Sequence, residues 1–171
     1  ILLGYSSNNN KLARNNVLNN SMGIYLYSSS NNIIYSNFFN NTNNYGFSGS
    51  IYNNYWNITK TPGKNIAGSP FLAGNFWANP GGTGFSKTCA DTNRDGICNS
   101  NYTLTSGNID YLQKKKIPSG YGYISGTVFN GTGIPGVSVT TNTSNSTTTD
   151  NSGFYYFFVP AGTYNLTATS A

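Results

Sequence analysis

The chain has 171 residues, with nine Lys and Arg against four acids, no His, and a formal net charge of +5. Only 8% of residues are charged and the basic ones are mostly dispersed, which argues against a nucleic-acid surface, and no apolar stretch approaches the ~18 residues that span a bilayer. All four acids are Asp and none falls in the first 90 residues, so that part cannot hold the carboxyl pair of a glycosidase.

From the N-terminus the chain repeats a phrase, NKLARNNVLNNS at Asn10 to Ser21 and NNIIYSNFFNNT at Asn31 to Thr42. A repeat of this length, whose copies cannot bury an apolar face alone, is the signature of stacked coils. Aligning Asn16, Asn37 and Asn54 sets Ala13, Ile34 and Ile51 in one column, and Leu18, Phe39 and Trp56 in a second. Leu2, Ile24 and Phe47 line up ahead of them. Alternation within phrases such as GIYLYS is strand periodicity, so each coil is expected to hold two or three short strands with these columns inward. Asn at the bends suits the left-handed backbone region and lets carboxamides bond along a stack. Lys11 and Arg14 are expected on the outer surface. Trp77 is expected to help close the end of the stack, and Tyr25, Tyr27 and Tyr35 to offer an outer aromatic face. The chain begins inside a repeat without an initiating Met, and so reads as a piece of a longer or processed protein.

The phrases GIYLYSSSNNIIYSNFFNNT and NNKLARNNVLNN resemble the repeats of NosD-like, carbohydrate-binding and sugar-hydrolase proteins, common at the surface of methanogenic archaea. NIAGSPFLAGNFW, followed by an acidic loop and NIDYL, is similar to the element that follows such repeats. The resemblance implies a right-handed parallel β-helix, and it is specific for fold rather than activity.

Next comes CADTNRDGICNSN, in which Asp91, Asn93 and Asp95 alternate and Gly96 follows, matching the opening of a calcium loop. The Ile97 carbonyl is the usual next ligand. The twelfth position is Tyr102 rather than Glu, so Asn99, water or Asp110 would have to complete the shell. A structural calcium ion and a plain hydrogen-bonded Asx turn are the two readings of this loop. Cys89 and Cys98 bracket it, and two cysteines without His or a C-x-x-C spacing point to one disulfide in an oxidising compartment, with free thiols as the alternative.

Lys114, Lys115 and Lys116 then read as a solvated linker. Beyond the break, short alternating strands are separated by Gly, Pro and Asn turns, a small β-sandwich pattern. Gly126, IPGV at Ile134 to Val137, TDNSGF at Thr149 to Phe154 and PAGTY at Pro160 to Tyr164 resemble the markers of carboxypeptidase regulatory-like modules. That resemblance implies a non-catalytic, seven-stranded immunoglobulin-like or transthyretin-like sandwich. About five strands are recognisable, so the module is expected to be incomplete.

The expected fold is therefore all-β. Parallel β-helix coils span 1–60, a loop-rich calcium-loop cap 61–113, a linker 114–122, and a β-sandwich 123–171. Sequons at Asn19, Asn40, Asn57, Asn101, Asn130, Asn142, Asn145 and Asn165 suit a glycosylated extracellular or cell-surface protein. The expected function is non-enzymatic, a structural part of an archaeal S-layer, sheath or filament whose partners are copies of itself or other surface proteins. A carbohydrate-binding module facing cell-surface glycans is the alternative, and an enzyme fragment with its acids elsewhere is the third.

Overall fold

The computed structural model describes residues 1–170, and the chain divides into two compact units, Ile1–Lys116 and Ile117–Ala171. The first unit opens with β1 (Leu2–Leu3), β2 (Lys11–Ala13), β3 (Asn16–Leu18), β4 (Met22–Tyr27), β5 (Ile33–Tyr35), β6 (Phe38–Asn40) and β7 (Asn43–Ser48). Each repeat lays its strands parallel on those of the next, so β1 pairs with β4 and β4 with β7, while β2 pairs with β5 and β3 with β6.

The pattern then changes. Residue 33 meets Tyr55 through a single parallel bridge, and β8 (Thr61–Pro62) pairs antiparallel with β9 (Phe71–Leu72). After these, β10 (Phe76–Ala78) returns parallel onto β6. A short helix α1 (Phe85–Thr88) and the antiparallel pair β11 (Tyr102–Thr105) and β12 (Asn108–Asp110) complete the unit.

The expected right-handed parallel β-helix is corrected by this topology. The sheets are only two or three strands wide, parallel and antiparallel pairings are mixed, and no closed solenoid forms among the described residues. The physical reason lies in the repeat number. Two full copies exist, and the third lays β7 on β4 but meets β5 through a single bridge before the chain turns to antiparallel pairing, short of a self-supporting stack of coils.

The core of this unit is built from Ile24, Leu26, Ile34, Phe39, Trp56 and Trp77, with Leu3, Val17 and Leu104. Phe39 stacks on Trp77 at 4.8 Å, and beside them Phe38 stacks on Phe76 at 4.6 Å. Of the nine expected inward positions, Leu2, Leu18 and Ile51 are exposed, and Ala13 and Phe47 are half-buried. Val17 is 8% exposed and opposes Phe39, whereas Leu18 is 41% exposed and opposes Asn40. Leu3, not Leu2, faces the core, Leu12 rather than Ala13 opposes Ile34, and Ile51 is exposed. The offset between copies is 23 residues at Leu3 and Leu26, 22 at Val17 and Phe39, and 21 at Asn20 and Asn41. A one-residue slip exchanges the two faces of a strand, so a fixed offset fails where corners differ in length.

The second unit holds β13 (Tyr121–Thr127), β14 (Phe129–Asn130), β15 (Thr132–Gly133), β16 (Ser138–Thr141), β17 (Ser146–Thr148), β18 (Phe154–Pro160) and β19 (Leu166–Thr169). All pairings are antiparallel, and they form a β13–β18 ribbon, a β17–β16–β19 sheet and a two-residue hairpin of β14 with β15. The sandwich, expected to be incomplete with about five strands against the seven its resemblance implies, is corrected to separate short sheets of two and three strands. Val139 from one sheet packs with Phe157 and Val159 from the other. Asp150 ties the turn before β18, its Oδ1 accepting from the backbone N–H groups of Ser152 at 2.8 Å and Phe154 at 3.0 Å.

Candidate metal centre

The loop singled out by its acids is held from both ends. Cys89 and Cys98 are joined in a disulfide with Cα atoms 5.6 Å apart. Beyond it, Cys98 N–H donates to Gln113 O and Lys115 N–H to Gly96 O, which seats the loop on the following segment. Gly96 sits at φ 82°, in the left-handed region that the turn requires.

Within the loop the carboxylates turn onto their own backbone. Asp91 accepts from Asp95 N at 3.2 Å and Gly96 N at 2.9 Å, and Asp95 Oδ1 accepts from Ile97 N at 2.9 Å. Asn93 Nδ2 donates to Asp95 Oδ2 at 3.1 Å, and the Asn99 carboxamide pairs with Thr92. Lys60 Nζ reaches the same Asp95 Oδ2 at 2.6 Å, placing an ammonium where a loop cation would lend its charge. Burial, and then the Asp95 charge, raise the Asp91 carboxyl above its ordinary value, against backbone bonds that lower it.

Asp110, the sixth expected ligand, is placed elsewhere. Fully buried, it accepts on Oδ2 from Asn75 N at 2.8 Å, Asn75 Nδ2 at 3.2 Å and Trp77 Nε1 at 3.0 Å, and on Oδ1 from Leu112 N at 3.2 Å. Gly74 lies so close to Oδ1 that a Cβ there would collide with it. Among the described residues no group of three or more His, Cys, Asp or Glu is arranged to hold a metal.

The position of Asp110 belongs to a different structure, a set of carboxamide columns. Asn10 donates through N and Nδ2 to Asn32 Oδ1, Asn32 likewise to Asn54, and Asn54 to Asn108. A second column runs from Asn15 through Asn37 and Asn75 to Asp110. The third runs from Asn20 through Asn41 to Asn44. Asn108 and Asp110 end their columns in the same way, each also taking an indole N–H, from Trp56 and Trp77 respectively. Sequence reasoning placed a ladder on Asn16, Asn37 and Asn54, which the structure splits between two columns, and Asn16 lies outside both. It missed the two ends altogether. The available signal was Asn two residues before each Trp, at 54 and 56 and at 75 and 77, matched by Asn108 and Asp110 at the same spacing.

Lys114, expected in a solvated linker, is fully buried and donates to Phe71 O at 2.6 Å. It is drawn inside because its backbone bridges to Ile97 and bonds Asn75 O. Burial pushes its amine down to about 7, against the opposing pull of Asp110 and Asp95, while burial lifts Asp110 up to about 6.

Of the candidate outer aromatics, Tyr27 is exposed, Tyr25 half-buried and Tyr35 buried, the last with Lys11 Nζ 5.3 Å from its ring centre. Trp77 is a core residue. Six sequon asparagines are exposed, while Asn40 and Asn57 are half-buried. Asn40 Oδ1 is buried without a partner, and Asn57 Oδ1 accepts from Tyr111 N at 3.2 Å.

The parallel-paired repeats and their Asn columns define a repeat-built module. Residues 2–82, just under half of the chain, match the family model described as periplasmic copper-binding protein (NosD). The region is similar to that periplasmic and surface family. No curated protein and no solved structure gives a significant match. Among the described residues no helix is long and apolar enough to cross a membrane.

Proposed function

We propose that the chain is a non-enzymatic structural component of an extracellular assembly, of the archaeal S-layer, sheath or filament kind that its repeats resemble. The observation that carries this reading is the use of its polar interior. Buried Asn32, Asn37, Asn41, Asn54 and Asn75 bond one another and the backbone, so their amides hold the fold together. The acids point the same way, since Asp91 and Asp95 serve the loop, Asp110 a column and Asp150 its own turn. Exposed Asn19, Asn101, Asn130, Asn142, Asn145 and Asn165 suit glycosylation. Electron microscopy and sedimentation of the purified, glycosylated protein test the proposal. Regular polymers or sheets support it, and hydrolysis of a polysaccharide would contradict it.

The matched family's printed name includes copper, but the donors of this chain do not fit that metal. There is no His, both Cys are bridged, and Met22 is the one thioether. We read the Cys-bracketed loop as a disulfide-closed Asx turn clamped by Lys60, with calcium as the competing reading. Addition and chelation of calcium during thermal unfolding separates them, because an ion bound only by the folded state raises the midpoint by mass action.

One observation favours carbohydrate binding as a second reading. A cleft of about 580 Å³ is lined by Asn43, Asn44, Tyr45, Asn79, Thr83 and Tyr102, over Trp77. Such amides and hydroxyls beside aromatic carbons suit a sugar ring. Burial, with Tyr45 next, pushes the Tyr102 hydroxyl above its ordinary value. Glycan binding that disappears in Tyr45→Ala would establish this role.

A further inference from the structure

Two exposed tyrosines border a cleft of about 260 Å³ in the first unit. Its lining includes Tyr55, Asn57, Ile109 and Tyr111, with the buried Trp56. Tyr55 is 58% exposed and Tyr111 53%, so two large rings stand mostly in water at an apolar hollow. That volume falls just below the roughly 300–1,000 Å³ that buries a drug-sized ligand, and it suits a single sugar ring.

The cleft is held by two segments sewn together. Asn54 N and Trp56 Nε1 donate to Asn108 Oδ1 at 3.1 and 3.0 Å, which ties the Tyr55 segment to the β11–β12 hairpin. At the turn of that hairpin Gly107 has φ 71°, and a Cβ on it would collide with Asn53 Oδ1. Tyr111 N–H then donates to Asn57 Oδ1 across 54 residues. A hollow fixed in this way loses little freedom when it fills.

Asn57 lines the cleft and is also a sequon asparagine, followed by Ile58 and Thr59. The bond from Tyr111 fixes its Oδ1, while among the described residues Nδ2 makes only a long contact of 3.5 Å, to Ile58 O. That nitrogen is the atom a glycan takes, and Thr59 is exposed in a stretch without helix or strand.

We propose that Asn57 carries an N-linked glycan whose first pyranose packs in this cleft against Tyr55 and Tyr111. Attachment forms the bond from Nδ2 to sugar C1 and breaks the C1–O bond of a lipid phosphate-linked glycan donor. The phosphate leaves with the bonding pair, and Nδ2 gives up one proton and keeps the other. The C–H face of the sugar then covers aromatic carbons that otherwise meet water. Tethered beside its site, the ring docks at a high effective concentration, so a contact too weak to hold a free sugar suffices. The larger cleft over Trp77 shares no lining residue with this one.

The inference rests on the extracellular, glycosylated reading and deepens it by giving one glycan a site. Peptide mass mapping of the purified glycosylated protein should find sugar on Asn57. Thr59→Ala removes the sequon but leaves the Asn57 side chain, and it retains the Thr59 carbonyl to which Thr61 Oγ1 donates. It should lower the thermal midpoint by roughly 2–6 °C, and Thr59→Ser, which keeps the sequon, should restore the parent value. In a Tyr111→Ala background the same removal should cost less than half as much. NOE contacts from the first sugar to the Tyr55 and Tyr111 rings of the parent give a readout that needs no variant. Asn57 bare while Asn19 or Asn101 carries sugar overturns the proposal and leaves the glycosylated reading standing. So does an equal midpoint loss with and without the Tyr111 ring, or an Asn57 glycan without those NOE contacts. A protein bare at every sequon overturns both.

Discussion

Replacing Asn37 with Ala tests the carboxamide columns where they are most buried. The Asn37 side chain accepts from Asn15 N and Nδ2, and it donates to Leu12 O at 2.9 Å, Tyr35 O at 3.1 Å and Asn75 Oδ1 at 3.0 Å. Ala removes all three donations. Asn75 Oδ1 keeps the Asn37 backbone N–H at 3.1 Å, and water reaches Asn15 at the exposed rung, so the loss falls mainly on the Leu12 and Tyr35 carbonyls. At about 1–3 kcal/mol for each buried polar group left unpaired, with a small cavity added, the cost is roughly 3–4 kcal/mol. Asn15→Ala removes bonds at an exposed position and should cost less than about 1 kcal/mol. Asn37→Asp sets a second acceptor against Asn75 Oδ1, and at neutral pH should cost at least as much as Ala. Urea unfolding of the three variants, with the disulfide intact, measures the differences. Equal costs at Asn15 and Asn37, or a cost at Asn37 below about 1 kcal/mol, would refute the reasoning.

Stability should depend on pH in an unusual direction. The folded Asp110 pKa, about 6, lies above its ordinary 3.8, so its contribution is fully present at acid pH and is lost as pH rises to about 6. That loss is of order 3 kcal/mol. The folded Lys114 pKa, about 7, lies below 10.5, so stability is regained as pH rises from about 7 towards 10.5. Urea midpoints at pH 4.5, 6.5 and 9 should show their minimum at 6.5 from these two groups, and Lys114→Met should flatten the alkaline rise; a maximum at 6.5 would contradict both burials. Joint replacement of Cys89 and Cys98 by Ala, which opens a loop of sequence separation 9, should cost about 2–3 kcal/mol in thermal or urea unfolding. Val17→Ala should cost about 1–2 kcal/mol and Leu18→Ala under about 0.5, and the reverse order would restore the register drawn from a fixed repeat offset.

The strands of the repeats were legible because their signal is local. Ile34 and Phe39 stand in short apolar runs bounded by Asn and Ser inside one phrase, and both are fully buried. Leu18 and Ala13 were misplaced because a column is a relation between phrases, and one residue more or less at a corner moves it by one position. Width was not legible either. Whether two copies suffice to close a stack depends on the segments that follow, and here the chain turns to antiparallel pairing at Thr61. The ends of the columns lie further out of reach, since Asn54 meets Asn108 across 54 residues and Asn75 meets Asp110 across 35. Asp110 therefore read as a spare oxygen ligand for a nearby loop. Lys114 looked solvated for the same reason, because the Phe71 carbonyl that receives it is 43 residues away. The loop itself was legible in its turn chemistry and its Cys pairing. The Lys60 clamp was not, as nothing local marks that lysine among the dispersed cations.

The measurement that bears most directly on a scaffold held by buried carboxamides is native-state hydrogen exchange of the Asn32, Asn37, Asn54 and Asn75 side chains. The account predicts that these amides exchange only through global unfolding, so their protection falls with urea in parallel with overall stability. Exchange as fast as that of the exposed Asn19 and Asn101 carboxamides in the same sample would contradict it.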